Sequence, residues 1–363
     1  MKRLFAAILA LCLLTGLLSG CGAKKPRFEQ SVETVVFTDS AGRKVEVPND
    51  VTRVAPSGAV ATMFLASVCP EYMVCISSTP SSSQYEYLDE RLLRLPTTGQ
   101  LYGSKSTINL EALLDAQPQV IIDLGDAKDG ISRDMDRLQS QTGVPVVFIE
   151  ADLPHMAEAF RMLGTLLSGK EERCEDLARY VEETFALAEE GSAKIPEGDR
   201  ARVMYTSGVS GLNTNAAGST QAQVIDLIGA ENAIVVEDIS NRGGGNVVSM
   251  EQLYIFDPDV IIFTAGSMYP SAESDAAWSQ LRAVANGDYY EIPNLPYNWM
   301  SSPPSLNMLL GIRWLGNLLY PEIYDYDMTE QAIYAYKLLW DYDLTREQAE
   351  AMLARSTGKR GTP

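Results

Sequence analysis

Among 363 residues there is one histidine, and cysteine occurs five times. That scarcity closes several chemical routes. Neither His-x-x-x-His nor Cys-x-x-Cys spacing occurs, so zinc sites built on histidine or paired cysteines fail. A Ser-His-Asp triad would have to use His155, in Asp152-Leu153-Pro154-His155 at the start of a helix, where a capping or surface histidine is the plainer reading. The nearest nucleophile-elbow look-alike, Gly208-Val209-Ser210-Gly211, lacks the residue between Ser and Gly. There is no Walker loop, and Gly243-Gly244-Gly245 does not follow a strand into a dinucleotide fingerprint. Positive charge is also short. Lys and Arg number 29 against 48 Asp and Glu, and a net charge of −19 argues against nucleic acid as a partner. With so many acids a carboxylate pair stays open, but nothing singles one out.

Long apolar runs are nearly absent too. One stands at residues 4–18, behind Lys2 and Arg3. It is shorter than the roughly 20 residues of a membrane span and suits a secretory signal over residues 1–20. Leu18-Ser19-Gly20-Cys21 is similar to the lipobox of bacterial lipoproteins, in which Cys21 would become the lipidated first residue; an ordinary cleaved signal is the alternative. Residues 21–36, with Lys24-Lys25-Pro26, read as a tether. Loss of Lys2 and Arg3 takes the charge from −19 to −21, since residues 1–20 hold no acid. Cys12 leaves with the signal, and Cys69, Cys75 and Cys174 remain. Cys69 and Cys75 can bridge or stand as two small buried thiols at a helix-to-strand turn, the reading we favour.

What is present is alternation. A small hairpin pairs residues 36–39 with 44–48 around Ala41-Gly42. Residues 37–169 then alternate strands (72–76, 120–124, 144–149) with helices, the first helix at 59–68 after Arg53-Val54-Ala55-Pro56-Ser57-Gly58. Residues 196–355 repeat the scheme, with strands at 202–205, 233–236, 260–263 and 289–292 and a helix over 220–228. A long apolar helix opens near Ser305. Two amphipathic helices follow, the last with Thr345 and Gln348 at capping-box spacing, and residues 356–363 read as a frayed tail. Such alternation predicts parallel sheets covered by helices on both faces. Between the halves, residues 170–195 form a linker helix with Leu177, Tyr180, Val181, Thr184, Phe185 and Ala188 on one face, stopped by Gly191 and Pro196. About twenty residues span roughly 30 Å, and one stiff connector predicts little closure on binding.

One unit occurs twice. NLEALLDAQPQVII at residues 109–122 nearly recurs as SMEQLYIFDPDVII at 249–262. Asn109 and Ser249 suit N-caps, which puts Glu111 and Glu251 in first turns, where the helix dipole favours a carboxylate by about 0.3–1 kcal/mol. That accounts for each Glu alone. The matching spacing to Pro118 and Pro258 and to the strands beyond is better explained by a duplicated βαβ unit.

The lipobox, the two Glu-bearing helix–Pro–strand units and the single linking helix together resemble the class III substrate-binding proteins of ABC importers, which carry iron–siderophores, haem, cobalamin and some oxoanions. The run Tyr297-Asn298-Trp299-Met300-Ser301-Ser302-Pro303-Pro304-Ser305-Leu306, continuing to Leu319-Tyr320-Pro321, is similar to the cleft-wall segment of iron-complex binders in that family. The resemblance covers nearly all of residues 35–354. It implies an α/β fold of two Rossmann-like lobes with parallel sheets, joined by a single long α-helix, with a ligand cleft between them. It also implies a monomer outside the cytoplasmic membrane, held there by the lipid on Cys21, that catalyses nothing and works with an ABC permease and its ATPase. Carried over by position, Glu111 and Glu251 are the carboxylates that dock onto Arg pockets of the permease.

Loops at strand C-termini converge on such a crevice. The first lobe offers Ser57, Gly58, Tyr102, Gly103 and Asp126, Tyr102 aligning roughly with a ligand-contacting aromatic of the cobalamin-binding relatives. The second offers Ser207, Asn241, Arg242, Ser267, Tyr269, Tyr297, Trp299 and Met300. Aromatics supply stacking area, and Arg242 can pair with an anionic chelate. Equally, Tyr297 and Trp299 can be core aromatics under the last helix, and Arg242 a solvated charge. No cofactor or resident metal is expected. The lone histidine weighs against bare transition metals and forbids bis-histidine haem, leaving Tyr or Met ligation open. An iron(III) chelate leads, because the chelator carries the metal ligands; a corrinoid, haem or molybdate-like oxoanion comes next. A lipid-anchored hydrolase using cleft carboxylates and a sensor lipoprotein with the same lobes are the competing classes.

Overall fold

The computed structural model describes residues 33–103, 107–241 and 244–356. The signal segment, Cys21, nearly all of the tether, Arg242 and residues 357–363 lie outside the described residues. A hairpin of β1 (Thr34–Thr38) and β2 (Lys44–Pro48) opens the chain, with Phe37, Val45 and Val47 turned into the core. In the first lobe β3 (Val54–Pro56), β4 (Val120–Gly125) and β5 (Val146–Glu150) form a parallel sheet in that order. Around it lie α1 (Ala59–Val68), α2 (Leu110–Asp115), α3 (Ile131–Thr142) and α4 (Met156–Leu166). The strand expected at residues 72–76 is reduced to two parallel bridges, Val54 to Met73 and Ile76 to Thr97, because Pro70 starts a 3-10 turn that runs to Tyr72.

The connector is α5 (Glu171–Ser192). Gly191 does not end it. The residue lies inside the helix, where a Cβ would come within 2.3 Å of the Tyr324 ring, and Tyr324 donates to the carbonyls of Ala188 or Ile228. The second lobe has β6 (Arg202–Ser207), β7 (Asn213–Thr214), β8 (Glu231–Asn232), β9 (Asn246–Val247), β10 (Val260–Phe263) and β11 (Tyr289–Glu291). Its parallel part runs β11-β10-β6-β8, and β7 and β9 add antiparallel at the other end of β6. The strand expected at 233–236 is absent. Pairing stops at Asn232, whose Oδ1 accepts from Ile234 N at 2.9 Å and turns the chain. The helices are α6 (Gln223–Leu227), α7 (Met250–Phe256), α8 (Arg282–Asn286), α9 (Met308–Leu319), α10 (Met328–Trp340) and α11 (Arg346–Leu353). Thr345 and Gln348 make the expected capping box. Ser356 is not frayed: it is buried, and its carbonyl accepts from Trp314 Nε1 at 3.0 Å.

The repeated unit is wired identically in both lobes. Val54 and Val120 pair across β3 and β4 as Val203 and Val260 do across β6 and β10. Gln119 N donates to Arg53 O at 2.8 Å, and Asp259 N to Arg202 O at 2.8 Å. Each helix ends on a left-handed residue before its proline, Gln117 (φ 53°) and Asp257 (φ 39°). An arginine at the entry to the first strand then closes the carbonyl left open there. Arg53 donates to Gln117 O at 3.0 Å and Arg202 to Asp257 O at 3.0 Å.

Alternate strand residues divide the core. Val120 and Ile122, with Val260 and Ile262, face one apolar cluster that runs through both lobes. Ile121 and Ile261 face separate outer cores. The chain crosses between sheets once, through α5, yet the lobes touch again at the end. Tyr87 packs 5.8 Å from Tyr336 and 5.0 Å from Tyr342, whose hydroxyl donates to Glu86 at 2.9 Å.

Candidate functional site

Parallel strands end together, so the loops that follow them share one rim. The ends of β3, β4 and β5 form one wall of a cleft of about 430 Å³; Thr220, Gln223, Pro303, Pro304, Ser305 and Met308 of the second lobe form the other. Ala59 and Pro303 also border an adjoining chamber of about 210 Å³ lined by Tyr297 and Ser302. The structure thus brings Ser57, Gly58, Tyr102, Gly103 and Asp126 into the cleft and Tyr297 into its side chamber. Tyr102 donates to Asp134 Oδ2 at 3.1 Å and carries Lys128 Nζ 4.3 Å from its ring centroid. Burial, with the nearby Asp123 charge, pushes its phenol well above the ordinary range.

The other second-lobe candidates stand elsewhere. Asn241 is exposed and supports the wall from behind, its Oδ1 accepting from Thr220 N at 2.9 Å. Ser207 donates to Asn213 O at 3.3 Å at the β6–β7 corner. Ser267 leads into Tyr269, whose ring packs 5.5 Å from Tyr289 and 6.2 Å from Phe263, away from the cleft. Trp299 and Met300 are fully buried and do not line it. The cause is local. Asn298 Oδ1 accepts from Met300 N at 2.9 Å and Ser301 N at 3.0 Å, folding the segment inward. Helix α9 then presses on it so closely that a Cβ on Gly311 would lie 2.1 Å from the Trp299 carbonyl oxygen. What this segment presents to the cleft is Pro303, Pro304 and Ser305, after Ser302 at φ 70°.

Sequence reasoning missed several lining groups, chiefly Asp123, Lys128 and Asp152. Asp123 is 4 % exposed, accepts a hydrogen bond from Ser57 Oγ, and is held above the ordinary carboxylate range by burial. Asp152 accepts from the His155 backbone N at 3.1 Å and pairs with its ring Nδ1 at 2.5 Å; Glu150 lies 3.8 Å from the same nitrogen. Among the described residues, those three form the one histidine–carboxylate group compact enough to hold a metal ion. His155 itself is exposed, at a helix start as expected.

Glu111 and Glu251 are exposed, one on each lobe. Asn109 Oδ1 accepts from Ala112 N at 3.1 Å, and Ser249 and Gln252 form a capping box. Hydrogen bonds from its own backbone N–H and from Ser249 hold the Glu251 carboxyl below the ordinary range. Both helices precede a parallel strand, so their first turns lie at the C-terminal ends of the strands of their own lobe. Leu114 and Tyr254, three residues on, are exposed at 41 % and 43 %. Cys69, Cys75 and Cys174 are free and buried.

Comparison with known proteins agrees with this geometry. The chain is 19 % identical to YvrC of Bacillus subtilis, an ABC transporter substrate-binding lipoprotein, over 89 % of this chain and 99 % of that one. An ABC transporter solute-binding protein from Sulfurospirillum deleyianum superposes with a TM-score of 0.79 at 27 % identity, covering 88 % of this chain and 99 % of the other. The molybdate-binding protein MolA of Haemophilus influenzae shares the fold with a TM-score of 0.66 at 18 % identity, over 86 % and 99 % of the two chains. Residues 56–295 match the model of the periplasmic binding protein family. Family members bind solutes outside the cytoplasm and catalyse no reaction; those of ABC importers work with a membrane permease and its ATPase. With two matched α/β lobes, one connecting helix and a cleft between the lobes, this chain belongs to the periplasmic binding protein family.

Proposed function

We propose that the protein captures an iron(III) complex, a siderophore in the first instance, and delivers it to an ABC permease. The observation that carries this reading is the make-up of the cleft. Its described lining holds three carboxylates, Asp123, Asp126 and Asp152, against one ammonium, Lys128. Such a surface suits a complex that presents hydrogen-bond donors and brings its own metal ligands better than a bare oxoanion. The volume falls in the range of compact ligands, about 300–1,000 Å³. Lipidation at Cys21 would hold the protein at the membrane surface, and Glu111 and Glu251 would engage one half of the permease each.

A thermal-shift panel tests this, with ferric trihydroxamates, ferric catecholates, haem, cobalamin and molybdate as probes. A ligand at 100 times its Kd stabilises by about 2.7 kcal/mol. At about 2.1 cal/mol/K of unfolding entropy per residue, a chain of this length shifts by roughly 1.4 °C per kcal/mol, so the expected rise is about 4 °C. A rise with a ferric chelate supports the proposal. A rise confined to molybdate or cobalamin replaces the ligand, and no rise with any ferric complex removes the iron reading.

A further inference from the structure

The duplicated unit breaks its symmetry at one buried position. Val-Ile-Ile at 120–122 continues to Asp123, and Val-Ile-Ile at 260–262 continues to Phe263. The two residues occupy equivalent places: Phe263 pairs with Thr206 on β6, and Asp123 stands one step past the Pro56–Ile122 pair, beside Ser57. In the second lobe the position is filled as the fold prefers. Phe263 is fully buried, with Trp278 5.3 Å away and Tyr269 and Tyr289 beyond. In the first lobe the same position holds a carboxyl that is 4 % exposed and faces the cleft.

That carboxyl is under-partnered. Ser57, across the strand pair, donates to Oδ1, and no Lys or Arg among the described residues forms an ion pair with it. Lys128, the nearest cation acting on it, bonds the Asp126 carbonyl at 3.4 Å and lies over the Tyr102 ring. A buried acid without an ion-pair partner destabilises a fold that tolerates phenylalanine there. Retaining it at the end of a strand, on a ligand cleft, is the signature of a functional group.

Building on the function proposed above, we infer that Asp123, with Ser57 fixing one of its oxygens, is the residue that reads the ligand. It takes a hydrogen-bond donor or cationic group of the bound complex, such as an ammonium, a hydroxyl or a metal-bound water. The solute class is therefore a neutral or cationic metal complex, not an oxoanion.

The test compares ferrioxamine B, a ferric trihydroxamate with a free ammonium, with its N-acetylated neutral form, and adds molybdate as the anionic probe. Binding is read by calorimetry on the mature chain. Wild type is expected to favour the ammonium form, and D123N to lose about ten- to hundredfold of that affinity, the scale of a hydrogen bond to a charged group. D123F, which installs the sister lobe's residue, controls for folding. It should melt higher than wild type at pH 7 and bind neither ferric probe. D123N and D123F that bind the ammonium form as wild type does would overturn the role of Asp123 alone. Wild-type protein that binds molybdate more tightly than the ammonium form would reverse the assigned ligand polarity. A wild type deaf to both ferric probes would instead overturn the iron reading on which the assignment rests.

Discussion

The paired carboxylates give the most direct test of how the protein works with a permease. Glu111 and Glu251 are exposed first-turn residues on helices of six and seven residues. Within their own lobes they can contribute at most about 1 kcal/mol each through the helix terminus. Glu111→Gln or Glu251→Gln should therefore lower Tm by no more than about 2 °C, and ligand Kd should stay within about twofold. Against a permease arginine the scale is different. Removing one member of a desolvated, hydrogen-bonded charge pair costs about 2–5 kcal/mol, or about 30- to 5,000-fold in affinity. Two sites on separate lobes should add. The assay is ATP-driven uptake into proteoliposomes that carry the cognate permease, beside calorimetric ligand binding on the same preparations. Uptake is expected to fall at least about 30-fold for E111Q and to vanish for the double variant, with binding intact. Uptake at the wild-type rate in the double variant refutes docking through these residues. Loss of ligand binding in parallel would show instead that the helix starts shape the cleft.

Two further outcomes follow from local geometry. Gly311→Ala puts a methyl 2.1 Å from the Trp299 carbonyl, so α9 or the cleft wall must move; overpacking of about 1–3 kcal/mol, less up to about 1 kcal/mol of helix propensity, should appear as a lower denaturation midpoint, whereas Gly198→Ala, with open space around it, should not change the midpoint. A G311A midpoint equal to wild type would mean that the wall is not seated as described. His155 gives the single histidine signal in an NMR titration, and its pKa should lie above 6.5 because Asp152 hydrogen-bonds the ring and Asp152 and Glu150 add negative charge. Asp152→Asn should bring it down. The stability that pairing supplies is full below pH 6.5 and fades as pH rises through the elevated value, so wild type and D152N should converge in alkaline solution.

Much of the scaffold could be read from pattern. The buried β-branched run Val120-Ile121-Ile122, the caps at Asn109, Ser249 and Thr345, and the one-faced helix at Glu171–Ser192 are local signals, and local hydrogen bonding obeys them. What failed was set by single contacts that residue periodicity does not register. Residues 233–236 have strand composition, yet the Asn232 side chain diverts the backbone first. Trp299 and Met300 carry the composition of a cleft wall, but Gly311, twelve residues past Trp299, lets α9 press that segment into the core. The first-lobe cleft residues were legible because they follow strand ends. The second-lobe ones were not, because this lobe presents residues that lead into and open α6 and α9 instead of its strand-end loops. Asp123 was legible in principle: setting the repeat in register through residue 123 shows an acid where its twin has phenylalanine.

The path of the chain and the packing of the lobes make one joint demand on how binding proceeds. A single crossing helix alone would permit a twist about its axis. The shared core removes that freedom. Tyr87 of the first lobe is held between Tyr336 and Tyr342, Glu86 accepts from Tyr342 and Gln348, and Arg173 on α5 donates to Ser67 and Leu338 carbonyls on either side. Closing the cleft would shear these contacts, and a ligand can supply only its differential affinity for the closed state. Movement should therefore stay near the 1 Å typical of preorganised sites and below the several ångströms of hinge proteins. Spin labels at Asp129→Cys and Val235→Cys, both exposed, report one position on each lobe, while Cys69, Cys75 and Cys174 are buried and should resist labelling. The expected change in interlabel distance on saturation with a bound ferric complex is below about 2 Å. A narrowing of 5 Å or more, on the order of hinge closure, would mean that the shared core yields on binding, and that the permease distinguishes loaded from empty protein by the spacing of its two carboxylates instead of by the ligand in the cleft between them.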